Sequence, residues 1–213
     1  MARVVVIGGH GKVALELARI LTERGDEVDS VFRNPDHSND VAATGARPVV
    51  ADIERLDTDA LADLVAGHDA VVFAAGAGGG NPERTYAVDR DAAIRVIDAA
   101  GQAGVPRFVM VSYFGAGPDH GVPPDVPFFA YAEAKAAADA YLRASELAFT
   151  ILGPGRLTLD GRTGKIVLAQ GNGEVSRADV ALVVAAALAD DSTVRRTIEF
   201  NNGDIPIAEA LAG

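Results

Sequence analysis

Apolar residues along this chain fall into short blocks whose period switches between that of a strand and that of a helix. Arg3 to Ile7 holds four consecutive β-branched residues, the pattern of a strand buried on both faces. Gly8-Gly9-His10-Gly11-Lys12 breaks it, and Val13, Leu17, Ile20 and Leu21 then recur at helical spacing up to a stop at Arg24-Gly25. The same reading predicts strands at Glu27–Arg33, Arg47–Ala51, Asp69–Ala75, Arg107–Ser112, Phe149–Leu152, Lys165–Ala169 and Thr197–Phe200. Helices are predicted around Asp59–Ala66, from the Asn81-Pro82-Glu83 start to Ala103-Gly104, over Phe128–Leu147 and Arg177–Ala189, and briefly at Ile207–Leu211. Such alternation implies an α/β fold, a doubly wound, mostly parallel sheet with helices on both faces. Phe114–Pro127, punctuated by Pro118, Pro123, Pro124 and Pro127, fits no element and is expected to be a loop covering a substrate.

At 213 residues the chain has room for one sizeable core, so a single domain over 1–213 is expected, with a small substrate-side region at about 114–127 and 154–213. The formal net charge of -11 argues against a nucleic-acid or anionic-membrane surface, either of which needs a basic patch. The partner expected is a small-molecule substrate, with the protein a monomer or homodimer. Absence of cysteine removes disulfides and thiol nucleophiles, and the four histidines, His10, His37, His68 and His120, are too scattered to suggest a metal site. His120, inside the proline-rich loop, reads as a surface histidine. No leader-like segment or membrane-length apolar run is evident, so a cytoplasmic location is expected.

The candidate chemistry gathers at strand ends. Gly8-x-x-Gly11-x-x-Ala14 is a variant of the dinucleotide-binding fingerprint, in which glycines allow close approach and the following helix offers its N-terminus to a pyrophosphate. At the end of the second strand stands Arg33, where an NAD-selective unit usually offers a carboxylate. A guanidinium there selects NADP(H) by pairing with a 2'-phosphate, unless it is a solvated turn residue. Asp29 is near, but lies inside the strand and needs a register slip to reach the ribose. Asp52 follows the third strand and either contacts adenine, by its side chain or the neighbouring backbone, or caps a turn. Ala74-Ala75-Gly76 begins a second small-residue loop running to Gly80, and Ser112 and Gly153-Pro154-Gly155 end two further strands. All of these belong at the carboxyl edge of the sheet, where such folds bind ligands.

Tyr131 and Lys135 are four apart on a predicted helix and share a face. An ammonium beside a phenol favours the phenolate, which would suit Tyr131 to acid–base work, though helix surfaces carry such pairs without function. Lysine is scarce, however: Lys12, Lys135 and Lys165 are the three among 19 basic residues.

Together, Gly8 to Ala14, Phe32-Arg33-Asn34-Pro35, Tyr131-x-x-x-Lys135, Gly153-Pro154-Gly155 and Ser176-Arg177-Ala178-Asp179-Val180 make the chain resemble an atypical short-chain dehydrogenase/reductase. More narrowly it is similar to the NAD(P)H-binding subgroup related to flavin and biliverdin-IXβ reductases and to sugar-nucleotide epimerases and dehydratases. The resemblance implies a Rossmann-like fold and a cofactor, NADP(H) rather than NAD. It implies that Gly8, Gly9, His10, Gly11, Lys12 and Val13 hold the pyrophosphate, Arg33 the 2'-phosphate, Asp52 and Ile53 the adenine, and Ala74, Ala75 and Gly76 the ribose side. By the same resemblance Lys135 bonds the nicotinamide ribose and lowers the pKa of Tyr131, which exchanges a proton with substrate, while Pro154 and Gly155 flank the nicotinamide. One departure stands out: the serine pair that ends the fifth strand in such enzymes is Ser112-Tyr113 here, so either residue is left to orient the substrate oxygen.

The activity expected is an NADPH-dependent oxidoreductase passing hydride to a small flavin, quinone or carbonyl acceptor. The alternatives are a non-catalytic NADP(H)-binding redox sensor and a sugar-nucleotide epimerase or dehydratase with tightly held NAD.

Overall fold

The computed structural model describes residues 1–78, 80–168 and 171–212. In chain order its first half comprises β1 (Arg3–Ile7), α1 (Lys12–Glu23), β2 (Glu27–Phe32), α2 (Ser38–Ala42), β3 (Arg47–Val50), α3 (Thr58–Val65) and β4 (Ala70–Phe73). A helix in three pieces follows: α4 (Pro82–Thr85), a π-helical turn (Tyr86–Ala92) and α5 (Ala93–Gln102). Then come β5 (Arg107–Val111), α6 (Phe129–Ala144), β6 (Ala148–Pro154), β7 (Arg156–Thr158), β8 (Lys165–Leu168) and β9 (Glu174–Ser176). The chain closes with α7 (Arg177–Ala189), β10 (Arg196–Asn202), β11 (Ile205–Pro206) and α8 (Ile207–Leu211).

The described residues form a nine-stranded sheet in the order β11-β8-β10-β6-β5-β4-β1-β2-β3, with β7 and β9 paired separately. From β3 across to β10 every pairing is parallel, and β8 and β11 complete the edge antiparallel. This is the doubly wound Rossmann-like α/β fold. β1 sits between β2 and β4, so alternate residues enter different cores. Val4 and Val6 pack with Leu17 of α1 and Val184 of α7, whereas Val5 and Ile7 pack with Leu61 of α3 and Val96 of α5. Helices on both faces explain why that strand carries no polar alternation. Strand order reverses direction between β1 and β4, which opens a crevice beyond their carboxyl ends.

Three differences from the predicted elements bear on the site. The helix expected as one piece from Asn81 is interrupted by the π turn, which swings Asp89 inward to 1% exposure, where its Oδ2 accepts the Ala77 N–H at 2.9 Å. The sixth strand does not stop at Leu152. It runs through Gly153 and Pro154, because the Phe114 N–H donates to Pro154 O at 2.8 Å and the Gly155 N–H donates to Phe200 O at 3.0 Å. The short elements α2, β7, β9 and β11 have too few residues to show a period. Gly79 of the expected glycine loop and Ala169 of the expected seventh strand lie outside the described residues.

The motif Ser176-x-x-Asp179 forms the entrance to α7. Ser176 caps the helix by accepting the Asp179 N–H at 3.0 Å. The Asp179 carboxylate, fully buried, accepts from the Thr163 and Gly164 amides and from the Thr163 and Ser176 hydroxyls. It thereby ties the segment before β8 to the helix. Asp179→Ala leaves these donors without a partner and is expected to lower stability by about 3 kcal/mol or more. Urea unfolding checks this, and an unshifted midpoint would contradict it. Among the described residues no helix is long and apolar enough to cross a membrane.

Candidate active site

Two cavities open along the carboxyl edge of the sheet. The first, about 330 Å³, lies over β1, β2, β3 and β4, and the second, about 610 Å³, lies beyond β5 and β6.

The glycine turn shapes the first cavity. The Gly8 and Gly9 amides both donate to Val31 O, at 3.0 and 2.8 Å, and Gly11 N–H closes the turn on Gly8 O at 2.8 Å. Gly8 has φ +89°, and a Cβ there would lie 2.5 Å from Ala75 Cα; a Cβ on Gly9 would lie 2.6 Å from Ser30 Cβ. Glycine is thus required twice, by backbone handedness and by close approach. Gly11 caps α1 without a side chain, and the first turn holds no acidic residue. The opening amides and the positive helix end are left for an anion.

Polar groups frame the far end of this cavity. Arg33 Nη1 donates to Glu54 Oε1 at 2.9 Å, and Arg84 donates to the same oxygen from Nε and Nη2, both at 3.1 Å. His10 stacks on His37 with ring centroids 3.5 Å apart, and His10 Nε2 lies 3.0 Å from Asp40 Oδ2. Asp52 spends Oδ1 on the Glu54 N–H at 3.1 Å, closing a turn, while still lining the cavity. Asp29 points to the opposite end of the sheet, where Arg47 grips it and His68 Nε2 lies 2.9 Å away.

Of the residues anticipated for the cofactor, Gly8, His10, Gly11, Arg33, Asp52, Ile53, Ala74, Ala75 and Gly76 line the first cavity. Gly9 instead packs on Ser30, Lys12 is exposed at the helix start and Val13 is buried. Glu54, Arg84 and His37 also line it and carried no sequence signal, since their partners are distant in the chain.

Ser112, Tyr131, Pro154 and Gly155 line the second cavity, with Tyr113 beside Ser112. Its wall is aromatic: Tyr113 meets Phe128 edge-on at 5.2 Å and Tyr131 at 5.5 Å. His120 corrects the expectation of a surface histidine. Its side chain is 5% exposed, Nδ1 accepts the Val122 N–H at 3.0 Å, and Nε2 reaches Glu133 Oε1 at 2.9 Å. An acceptor at Nδ1 places the ring proton on Nε2, so this histidine pins the covering loop to α6.

Lys135 is placed differently from the expectation. It is 1% exposed and lines neither cavity; Nζ donates to Val111 O at 2.8 Å, contacts Met110 Sδ at 3.4 Å and sits 5.7 Å from the centre of the Phe73 ring. Burial pulls the ammonium pKa down, opposed by Asp139 and Asp89. Nor does Lys135 draw the Tyr131 pKa down. Desolvation, followed by Asp89, Asp139 and Tyr113, pushes that phenol well above its ordinary value, so Tyr131 is protonated near neutrality. Ser112 Oγ lies in short hydrogen-bond contact with Asp139 Oδ2, at 2.5 Å. Burial raises the pKa of Asp139 and of Asp89.

Residues 8–191 match the family described as NAD(P)H-binding. An uncharacterized sugar epimerase of Bacillus subtilis, YhfK, is 35% identical, with 98% of each chain covered. A solved structure of a proposed NAD-dependent epimerase/dehydratase from Bacillus halodurans is similar with a TM-score of 0.91 at 35% identity, covering 100% of this chain and 99% of that one. The structure of the oxidoreductase ylbE from Lactococcus lactis follows at a TM-score of 0.88 and 26% identity, covering 99% and 95%.

Proposed function

The chain belongs to the NAD(P)H-binding family, and from that premise we propose that it is an NADPH-dependent oxidoreductase acting on a small flavin, quinone or carbonyl acceptor. The observation that carries this reading is the pairing of a glycine-built, amide-rich cavity with an aromatic one along the same sheet edge. The residues present fit such a cofactor. Gly8 leaves the space that a Cβ would fill, and the first-turn amides of α1 suit a diphosphate. Arg33 takes the 2'-phosphate, Asp52 and Ile53 the adenine, Ala74 to Gly76 the ribose side, and Pro154 and Gly155 border the nicotinamide. When bound, the cofactor supplies a hydride.

The chain's own groups handle position and protons. Tyr131, protonated and lining the same cavity as Ser112, donates a hydrogen bond to the acceptor rather than serving as a phenolate. Lys135 acts from behind, fixing the tip of β5 through Val111 O so that Ser112 is held at the cavity. Phe128, Tyr113 and the loop pinned by His120 keep water from the acceptor. Steady-state NADPH oxidation with a panel of flavins, quinones and aldehydes tests the proposal; a protein that binds NADPH yet reduces none of them fits the sensor reading instead. The sugar-nucleotide reading rests on the relatives' names and is weakened by the apolar wall of Tyr113, Phe114, Val122, Phe128 and Leu157. NAD retained through purification would favour it.

Glu54 occupies a charge that the 2'-phosphate would claim. Glu54→Gln frees Arg33 and Arg84 and is expected to tighten NADP⁺ binding about three- to tenfold, the size expected for removing one partly screened charge, while leaving NAD⁺ almost unchanged. Calorimetry with both nucleotides checks this, and an unaltered ratio of affinities would remove the phosphate from Arg33.

A further inference from the structure

Behind Ser112 lie three buried charged side chains whose charges do not cancel. Asp89 comes from the π turn, and Lys135 and Asp139 come from α6; none is more than 1% exposed. Lys135 spends its protons on Val111 O and Met110 Sδ. Asp89 Oδ1 and Asp139 Oδ1 are buried without a hydrogen-bond partner. Two carboxylates against one ammonium would bring net negative charge into a medium that solvates it poorly, and a single bound proton removes the imbalance.

The hydrogen-bond partners decide where that proton sits. Asp89 Oδ2 faces the Ala77 amide, which only donates and so favours the carboxylate form. Asp139 Oδ2 faces the Ser112 hydroxyl at 2.5 Å, which accepts as readily as it donates. We infer that Asp139 holds a proton at neutral pH and delivers it through Ser112 Oγ to the acceptor oxygen in the aromatic cavity. This rests on the oxidoreductase reading and names the proton source for it.

The relay is balanced for a carbonyl acceptor. The Ser112 Oγ–H bond breaks as the new bond to the acceptor oxygen forms, and Asp139 Oδ2 gives its proton to Oγ. With the cofactor bound, its reduced nicotinamide would supply the hydride, and with it the two electrons, that the carbonyl carbon gains; water reprotonates Asp139 after product leaves. The carboxylate left behind faces Lys135 and Arg143 from its own helix, which stabilise it, and the Tyr131 phenol from the same helix; Ser112 and Tyr113 face it from the end of β5. Burial raising the Asp139 pKa supports the assignment, and the high pKa of Tyr131 leaves the phenol a weak acid. Because the group must be protonated to act, kcat is at its plateau below the Asp139 pKa and falls as pH rises through it.

Infrared difference spectra of the cofactor-free protein at neutral pH, wild type minus Asp139→Asn, are expected to show a protonated-carboxyl band that disappears at alkaline pH. Asp139→Asn and Ser112→Ala are both expected to lower kcat for aldehydes about a hundredfold with little change in KM, and Asp139→Asn to lose the alkaline limb of the pH profile. Ser112→Ala keeps the carboxyl band at a shifted frequency, and it carries the test alone if Asp139→Asn does not fold. A wild-type protein without the band overturns the inference whatever its activity. So does a band accompanied by unreduced kcat in Ser112→Ala. Lack of turnover in a wild-type protein that shows the band instead overturns the oxidoreductase reading, and with it the destination of the proton.

Discussion

Gly8→Ala is expected to weaken the binding of NADPH and NADH alike by about a hundredfold or more, equivalent to roughly 3 kcal/mol. Two costs combine. At φ +89° an L-residue is strained, and its Cβ would stand 2.5 Å from Ala75 Cα, so the backbone of the β4 tip must move. That tip and the turn are adjoining parts of the lining of the same cavity, and displacing one distorts the cradle meant for the diphosphate. Gly25→Ala is the control: φ is +92° and no atom lies within 4 Å of its added Cβ, so it bears the strain without the collision. Thermal unfolding of both variants with isothermal calorimetry separates the two costs. Equal nucleotide affinities in the two variants would show that the turn does not hold the cofactor.

Arg33→Asp is expected to lower the preference for NADPH over NADH by about a hundred- to a thousandfold. The guanidinium offers charge-assisted hydrogen bonds worth about 1.5–3 kcal/mol each, and the replacement sets a carboxylate against the 2'-phosphate. Arg33 is half-exposed and paired with Glu54, so its replacement leaves the packed core untouched. The variant adds a second carboxylate beside Glu54, with Arg84 left to hold both. Dissociation constants for NADP⁺ and NAD⁺ in parent and variant measure the effect. Should their ratio stay put, Arg33 is the solvated turn residue that its exposure also allows.

How far the site was legible follows from how local each signal is. The turn from Gly8 to Gly11 announces itself because a buried strand, a left-handed glycine and a helix start are consecutive in the chain. Val88, Ala92, Val96 and Ala99 keep a helical stripe, yet the π turn inserted among them is invisible to that period. Tyr131 and Lys135 do share a helix, but spacing alone leaves open which way a long side chain turns; Lys135 goes under β5 and Tyr131 into the cavity. His120 reads as a surface residue along the chain because its partners, Val122 and Glu133, come together only when the proline-rich loop folds back on α6. Gly153 and Pro154 remain in β6 because neighbouring segments supply hydrogen bonds that override a local breaker.

The sequence by itself determined the alternation of elements, the β-branched centre of the sheet and the glycine bend at its edge, since each depends on residues within a few positions of one another. Only the tertiary structure decided which ionisable groups share a dry environment. Asp89, Ser112, Lys135 and Asp139 arrive from the π turn, the end of β5 and α6, and Glu54 meets Arg33 and Arg84 from three separate segments. Protonation and charge balance depend on distance and burial, and no pattern along the chain encodes either.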